Sequence, residues 1–198
     1  CTQEWGTFTH TGIEHVQSDK GILAHQNAYA QQLQPIDLKG TRHLEPETLV
    51  DSTQHSLYMS LLGGAAWLTL TRVDLSIFIQ ALQRRAHAPR AIDVKRLNTV
   101  VRYAKRRPLG LFYAPLNKDG LTITTISDAA FKAQPEDSSG LALRGCCILL
   151  SNTSANAPAS TNGRCHLLEW QCKRQRRVTR STFSSELNGL IDSVESTV

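Results

Sequence analysis

Asp93-Val94-Lys95-Arg96-Leu97-Asn98-Thr99-Val100-Val101-Arg102-Tyr103-Ala104-Lys105-Arg106-Arg107-Pro108-Leu109-Gly110-Leu111-Phe112-Tyr113 holds the transition that decides the fold class. Up to residue 107 the apolar residues fall at helical spacing, with Val94, Leu97, Val100, Val101 and Ala104 on one face and Lys95, Arg96, Arg102, Lys105 and Arg106 on the rest. Pro108 and Gly110 end that pattern. Beyond them the period drops to two, so a helical region gives way to a sheet-forming one. The expectation is an α+β chain.

Working back from residue 93, Leu57, Leu61, Ala65 and Leu68 predict a first long helix. Leu75, Phe78, Ile79 and Leu82 continue the stripe until Pro89, with Thr71 a candidate cap for the restart and Asp93 the expected start of the third helix. Residues 37–53 are polar and read as an extended linker. Residues 1–36 read as strand, turn, strand and short helix: Thr11–Gln17 alternates weakly, Ser18-Asp19-Lys20-Gly21 is a hairpin turn signal, and the helix 28–33 stops before Pro35.

Working forward, Leu111-Phe112-Tyr113, Leu121–Ile126, Leu141–Leu150 and His166–Gln171 predict strands. Residues 151–164 form a loop rich in Ser, Asn and Ala. A last helix, capped by Thr182 or Ser184, carries Leu187, Leu190, Ile191 and Val194 on one stripe.

Composition narrows the function classes. Of 198 residues, 40% are hydrophobic and 20% charged, which suits a folded core and excludes a wholly disordered chain. No apolar run approaches the ~20 residues of a membrane span. Cys1-Thr2-Gln3-Glu4-Trp5 has neither an initiator Met nor a leader, so the expectation is the middle of a longer chain. Five cysteines, two of them adjacent at 146 and 147, suit neither a disulfide framework nor a zinc site and point to a reducing, intracellular compartment, cytoplasmic or nuclear.

The net charge of +5 is uneven. Residues 84–107 hold nine Arg or Lys against Asp93 alone, and 171–180 hold five more with no acid: Lys173, Arg174, Arg176, Arg177 and Arg180. Two basic blocks in an otherwise acidic chain are the footprint of a polyanion partner, bound through phosphates and weakened steeply by salt. Two acids stand out for chemistry. Asp128 follows a strand, and Glu186 falls in the first turn of the last helix. Carboxylates on neighbouring elements are what a Mg²⁺ ion, which takes hard oxygen ligands, requires.

Several stretches together resemble Ty1/copia-type retrotransposon polyproteins. Tyr58-Met59-Ser60-Leu61-Leu62-Gly63-Gly64-Ala65-Ala66-Trp67-Leu68 with Thr71-Arg72-Val73-Asp74-Leu75 resembles the stretch that follows the polymerase palm in that family. Leu97–Lys105 with Leu109-Gly110-Leu111-Phe112-Tyr113, then Ser127-Asp128-Ala129-Ala130-Phe131, then Arg174–Glu186 are similar to its next motifs, in order and over nearly the whole chain. Gly12-Ile13-Glu14 and Gln26–Leu33 resemble the end of its polymerase region.

The resemblance implies three sections. Residues 1–53 would be the end of a reverse transcriptase region and a linker, 54–108 a helical thumb or connection, and 109–198 the N-terminal part of an incomplete, mixed α/β ribonuclease H-like domain. In the full protein RNA would be copied into DNA and the RNA strand of a hybrid cut by two Mg²⁺ ions. Asp128 and Glu186 are the implied catalytic, metal-holding pair. Lys95, Arg96, Arg102, Lys105, Arg106, Lys173, Arg174, Arg176, Arg177 and Arg180 are the implied nucleic-acid contacts. The implied partners are an RNA–DNA hybrid and the rest of the polyprotein, with no membrane.

Departures limit what this stretch does alone. The family's second acid in its Ser-Asp-Ala-Asp motif is Ala130 here, no Tyr-x-Asp-Asp palm motif is present, and the sequence stops twelve residues after Glu186, before a strand that supplies a further Asp. At about 100° per residue, Asp192 lies about 240° and Glu195 about 180° around the helix from Glu186, so neither replaces that acid. Weak Mg²⁺ binding, no useful cleavage and an exposed stripe at Leu187, Leu190 and Ile191 are the expectations. The alternatives are a non-catalytic nucleic-acid- or protein-binding module within a larger assembly, and a purely structural helical protein.

Overall fold

The computed structural model describes residues 6–39, 44–130, 142–152, 165–175, 178–179 and 181–196. Helices and antiparallel strands are both present, an α+β fold, in two compact units, Cys1–Phe112 and Tyr113–Val198. No helix among the described residues is long and apolar enough to cross a membrane.

The first unit opens with a strand that periodicity did not reveal, β1 (Thr7–His10), paired antiparallel to β2 (Ile13–Ser18), which pairs with β3 (Gly21–His25). Ser18 faces Gly21 across the expected turn. β4 (Gly110–Tyr113) completes a sheet of order β1-β2-β3-β4. Gly110 is required there by a close approach: a Cβ on it would lie 2.5 Å from the Ala24 carbonyl oxygen and 2.8 Å from His25 Cβ. Gly110→Ala is expected to push β3 and β4 apart and cost about 1–3 kcal/mol, the range for overpacking a tight site, read from the urea midpoint.

The helices are α1 (Asn27–Gln32), α2 (Ser52–Trp67), α3 (Ser76–Gln83) and α4 (Ala91–Arg106). The apolar spacing read from the sequence builds most of their core, but Leu57 and Phe78 of the expected stripe are exposed, while Tyr58 and Leu62 are buried. Tyr58, Leu61, Leu62, Ala65 and Leu68 meet Leu75, Ile79, Leu82, Val94, Leu97, Val101 and Ala104. Ala30 and Ile36, from the N-terminal section, are buried in the same cluster.

Three local expectations change. α4 starts at Ala91 rather than Asp93, because the Asp93 carboxylate reaches back to accept from the Arg90 backbone amide at 3.0 Å, closing a capping box. Thr71 does not cap the restart, where Arg72 holds the N-cap position; its hydroxyl, buried, donates to the Gln26 side-chain oxygen at 3.0 Å. The linker 37–53 is tied down where Leu49 bridges to Arg90, and Asp51 caps α2 by accepting from the Gln54 amide at 2.8 Å.

The second unit is a three-stranded antiparallel sheet of order β5-β6-β7, made of β5 (Leu121–Ala130), β6 (Leu143–Asn152) and β7 (Cys165–Arg174), with α5 (Thr182–Glu195) against β5. The stripe Leu187, Leu190, Ile191 and Val194 does not face the sheet; all four are exposed, as is Phe183. Ser185, Gly189 and Ser193, spaced four apart, are the buried face. Small residues allow a close approach: a Cβ on Gly189 would lie 3.5 Å from that of Ala129.

Candidate functional site

Asp128 is the eighth of ten residues in β5, inside the strand rather than beyond its end. β5 is one of the two outer strands of its sheet among the described residues. Strand alternation places Ala129 on the face covered by α5, together with its register partner Arg144, which forms an ion pair with Asp192 of that helix. Asp128, opposite Gly145, belongs to the alternate set and is exposed.

Glu186 is the fifth residue of α5 rather than part of its first turn, because the cap is Ser181, not Thr182 or Ser184. Ser181 accepts from the Ser184 amide at 3.1 Å. From that position the Glu186 carboxylate accepts from the backbone amide of Ala129 at 3.1 Å. Glu186 therefore meets the strand edge at the residue next to Asp128.

A buried polar clamp sets the start of α5. The Gln175 side-chain amide donates to the Ser185 carbonyl at 2.7 Å, its oxygen receives the Ser185 hydroxyl at 3.3 Å, and its backbone amide donates to Ala142 at 2.8 Å. Gln175 and Ser185 are both buried. Neither stood out in the sequence, since a lone Gln beside five cations carries no periodic or charge signal. Both act by positioning Glu186.

Asp128 and Glu186 are the right kind of donor for a hard cation, hard oxygen ligands, yet few in number. No group of three or more His, Cys, Asp or Glu that could hold a metal occurs among the described residues. Cys146, Cys147, Cys165 and Cys172 are free thiols. Burial pushes the Cys147 thiol up, with Cys146 adding to it, and burial does the same to Cys172, so neither is poised as a nucleophile.

The implied nucleic-acid contacts divide. Arg102 and Arg106 are exposed on α4 and Lys95 half-exposed, in line at positions 95, 102 and 106. Arg96 lies 3.5 Å from the buried Asp93 carboxylate. Lys105 is turned inward, its ammonium donating to the Leu33 carbonyl at 2.9 Å, so its role is to hold the N-terminal section on α4. Lys173 and Arg174 end β7, exposed and half-buried respectively. Arg176, Arg177 and Arg180 lie outside the described residues.

The Thr71-Arg72-Val73-Asp74 motif has a structural role. Arg72, 3% exposed, holds the Asp74 carboxylate through two bonds of 2.9 and 2.8 Å. It also donates to the carbonyls of Ala104 and Arg107 at 3.3 and 2.9 Å, which satisfies the C-terminus of α4.

The chain is similar to an uncharacterised mitochondrial protein of Arabidopsis thaliana, AtMg00810, with 26% identity over 189 residues that cover 90% of this chain and 72% of that protein. No family model matches, and no solved structure matches.

Proposed function

We propose that the chain derives from a copia-type retrotransposon polyprotein and corresponds to the end of its reverse transcriptase and the first part of its ribonuclease H-like domain. The observation that supports this reading is the 3.1 Å bond from the Ala129 amide to Glu186, which holds that acid at the strand residue next to Asp128, whose own side chain belongs to the alternate face. The similarity to the Arabidopsis protein over most of both chains accompanies it. In the full protein Asp128 and Glu186 would hold Mg²⁺, which activates water against a phosphodiester of the RNA strand. This chain's own residues hold the acid at the edge, through Gln175, Ser181 and Ser185, and present cations to the backbone, through Arg102 and Arg106.

Two carboxylates are too few for a two-ion centre. The isolated chain is therefore expected to bind Mg²⁺ weakly and to leave a labelled RNA–DNA hybrid intact. Mn²⁺, added as a paramagnetic substitute, should broaden the amide signals around Asp128 and Glu186 before all others. Broadening elsewhere first, or none, removes the metal-holding role. Robust Mg²⁺-dependent cleavage lost in Asp128→Asn would overturn the prediction of inactivity.

The small donor set among the described residues favours a second reading, a transposon-derived, non-catalytic nucleic-acid- or protein-binding module in a larger assembly. Hybrid binding that depends on salt but not at all on Mn²⁺ or Mg²⁺ would select it.

A further inference from the structure

On α4, Lys95, Thr99, Arg102 and Arg106 recur at spacings of four, three and four and so share one row along the helix, about 16 Å long. The exposed Tyr103 lies beside that row. Tyr103 is 41% exposed, and the Arg72 guanidinium stands over its ring, 5.6 Å from the centroid. That cation occupies one ring face and is itself held by Asp74 and by two carbonyls, so the ring is anchored from behind. Tyr103 stays partly exposed in that position. An aromatic face fixed in place beside a row of cations is a stacking platform on an electrostatic track.

We infer that the Lys95–Arg102–Arg106 row and Tyr103 of α4 together bind an unpaired stretch of nucleic-acid strand, with phosphates along the row and one base stacked on Tyr103. This rests on the nucleic-acid reading of α4 above and deepens it, by assigning this surface to single strand rather than duplex. In a duplex the base faces are covered by their neighbours, so only an unpaired base can lie on the ring. Stacking uses the π face that every base has, so the surface should be tolerant of sequence.

The test is binding of the full chain to three fluorescent probes, an oligothymidylate, the same backbone made abasic, and a blunt DNA duplex. Tyr103→Ala should weaken the oligothymidylate about ten- to hundredfold, the loss of one stacked base, and leave the other two within about twofold. Tyr103→Phe should bind like the parent. Arg102→Gln with Arg106→Gln should weaken all three and make the salt slope on the single strand shallower by about 1.4. If Tyr103→Ala lowers the urea midpoint, Tyr103→Leu, which keeps apolar bulk without a π face, takes its place.

The inference fails if Tyr103→Ala, or Tyr103→Leu in its place, binds the oligothymidylate as the parent does, if it loses abasic and duplex binding equally, or if the parent binds no single strand. Hybrid binding and Mn²⁺ broadening at Asp128 are read in parallel. Their loss with Tyr103-dependent binding intact would remove the ribonuclease reading alone, and the reverse result would remove this inference alone.

Discussion

Arg72→Ala is expected to destabilise the first unit by about 3 kcal/mol, enough to unfold a marginal domain. The guanidinium is buried at 3% exposure and makes four hydrogen bonds, two to the Asp74 carboxylate and two to the carbonyls of Ala104 and Arg107. Its removal takes away the donors that Arg72 gives to the Ala104 and Arg107 carbonyls at the C-terminus of α4, and leaves a carboxylate whose planar partner is gone. Asp74 is itself a third exposed, so water recovers part of that loss and the upper end of the range for buried pairs is not reached. Arg72→Lys should recover little, because one ammonium cannot span a bidentate carboxylate and two carbonyls at once. Urea unfolding followed by far-UV circular dichroism reads both. An unchanged midpoint for Arg72→Ala would show that the α4 terminus is held by something else.

Asn98→Ala is the second large effect, expected at about 3 kcal/mol. Asn98 is fully buried in α4, and its side-chain amide copies a backbone pairing. Its oxygen accepts from the Ile36 amide at 2.8 Å, and its nitrogen donates to the Ile36 carbonyl at 2.8 Å. Alanine orphans both groups of Ile36, whose own side chain is in the core. Asn98→Asp keeps the acceptor, removes the donor and buries a charge, so it should be as damaging, and the damage should lessen at acid pH, where the carboxyl is protonated. Hydrogen exchange at the Ile36 amide gives a local readout, since its protection should vanish in Asn98→Ala before global unfolding. Retained protection would mean that Ile36 is fixed by packing alone.

The same contrast runs through the molecule. The helical spacing in 57–104 identified most of the core residues, with Leu57 and Phe78 exposed instead, because a side chain at every third or fourth position shares one face and the apolar ones on it pack against each other. The strands of the second unit were legible from alternation, although their ends extend beyond the apolar residues. Thr7–His10 was not, because its exposed, mostly polar residues carry no alternation and are recruited by pairing with β2. On α5 the apolar stripe Leu187, Leu190, Ile191 and Val194 is exposed, as the sequence reading expects of the first three, while the close approach to Ala129 selects Ser185, Gly189 and Ser193 for the buried face.

Of the candidate site, the sequence by itself determined which residue types could bear charge or bind a cation: Asp128, Glu186 and two basic blocks. Those are properties of side chains and survive without coordinates. The tertiary structure alone decided what each one does. It brought Glu186 to the Ala129 amide through the Gln175–Ser185 clamp, turned Lys105 inward to Leu33, and set Arg72 against Tyr103. The physical reason is that hydrogen bonding between residues tens of positions apart depends on distances a linear pattern does not encode. Periodicity reports which way a side chain faces along its own element, and only packing reports what it meets there.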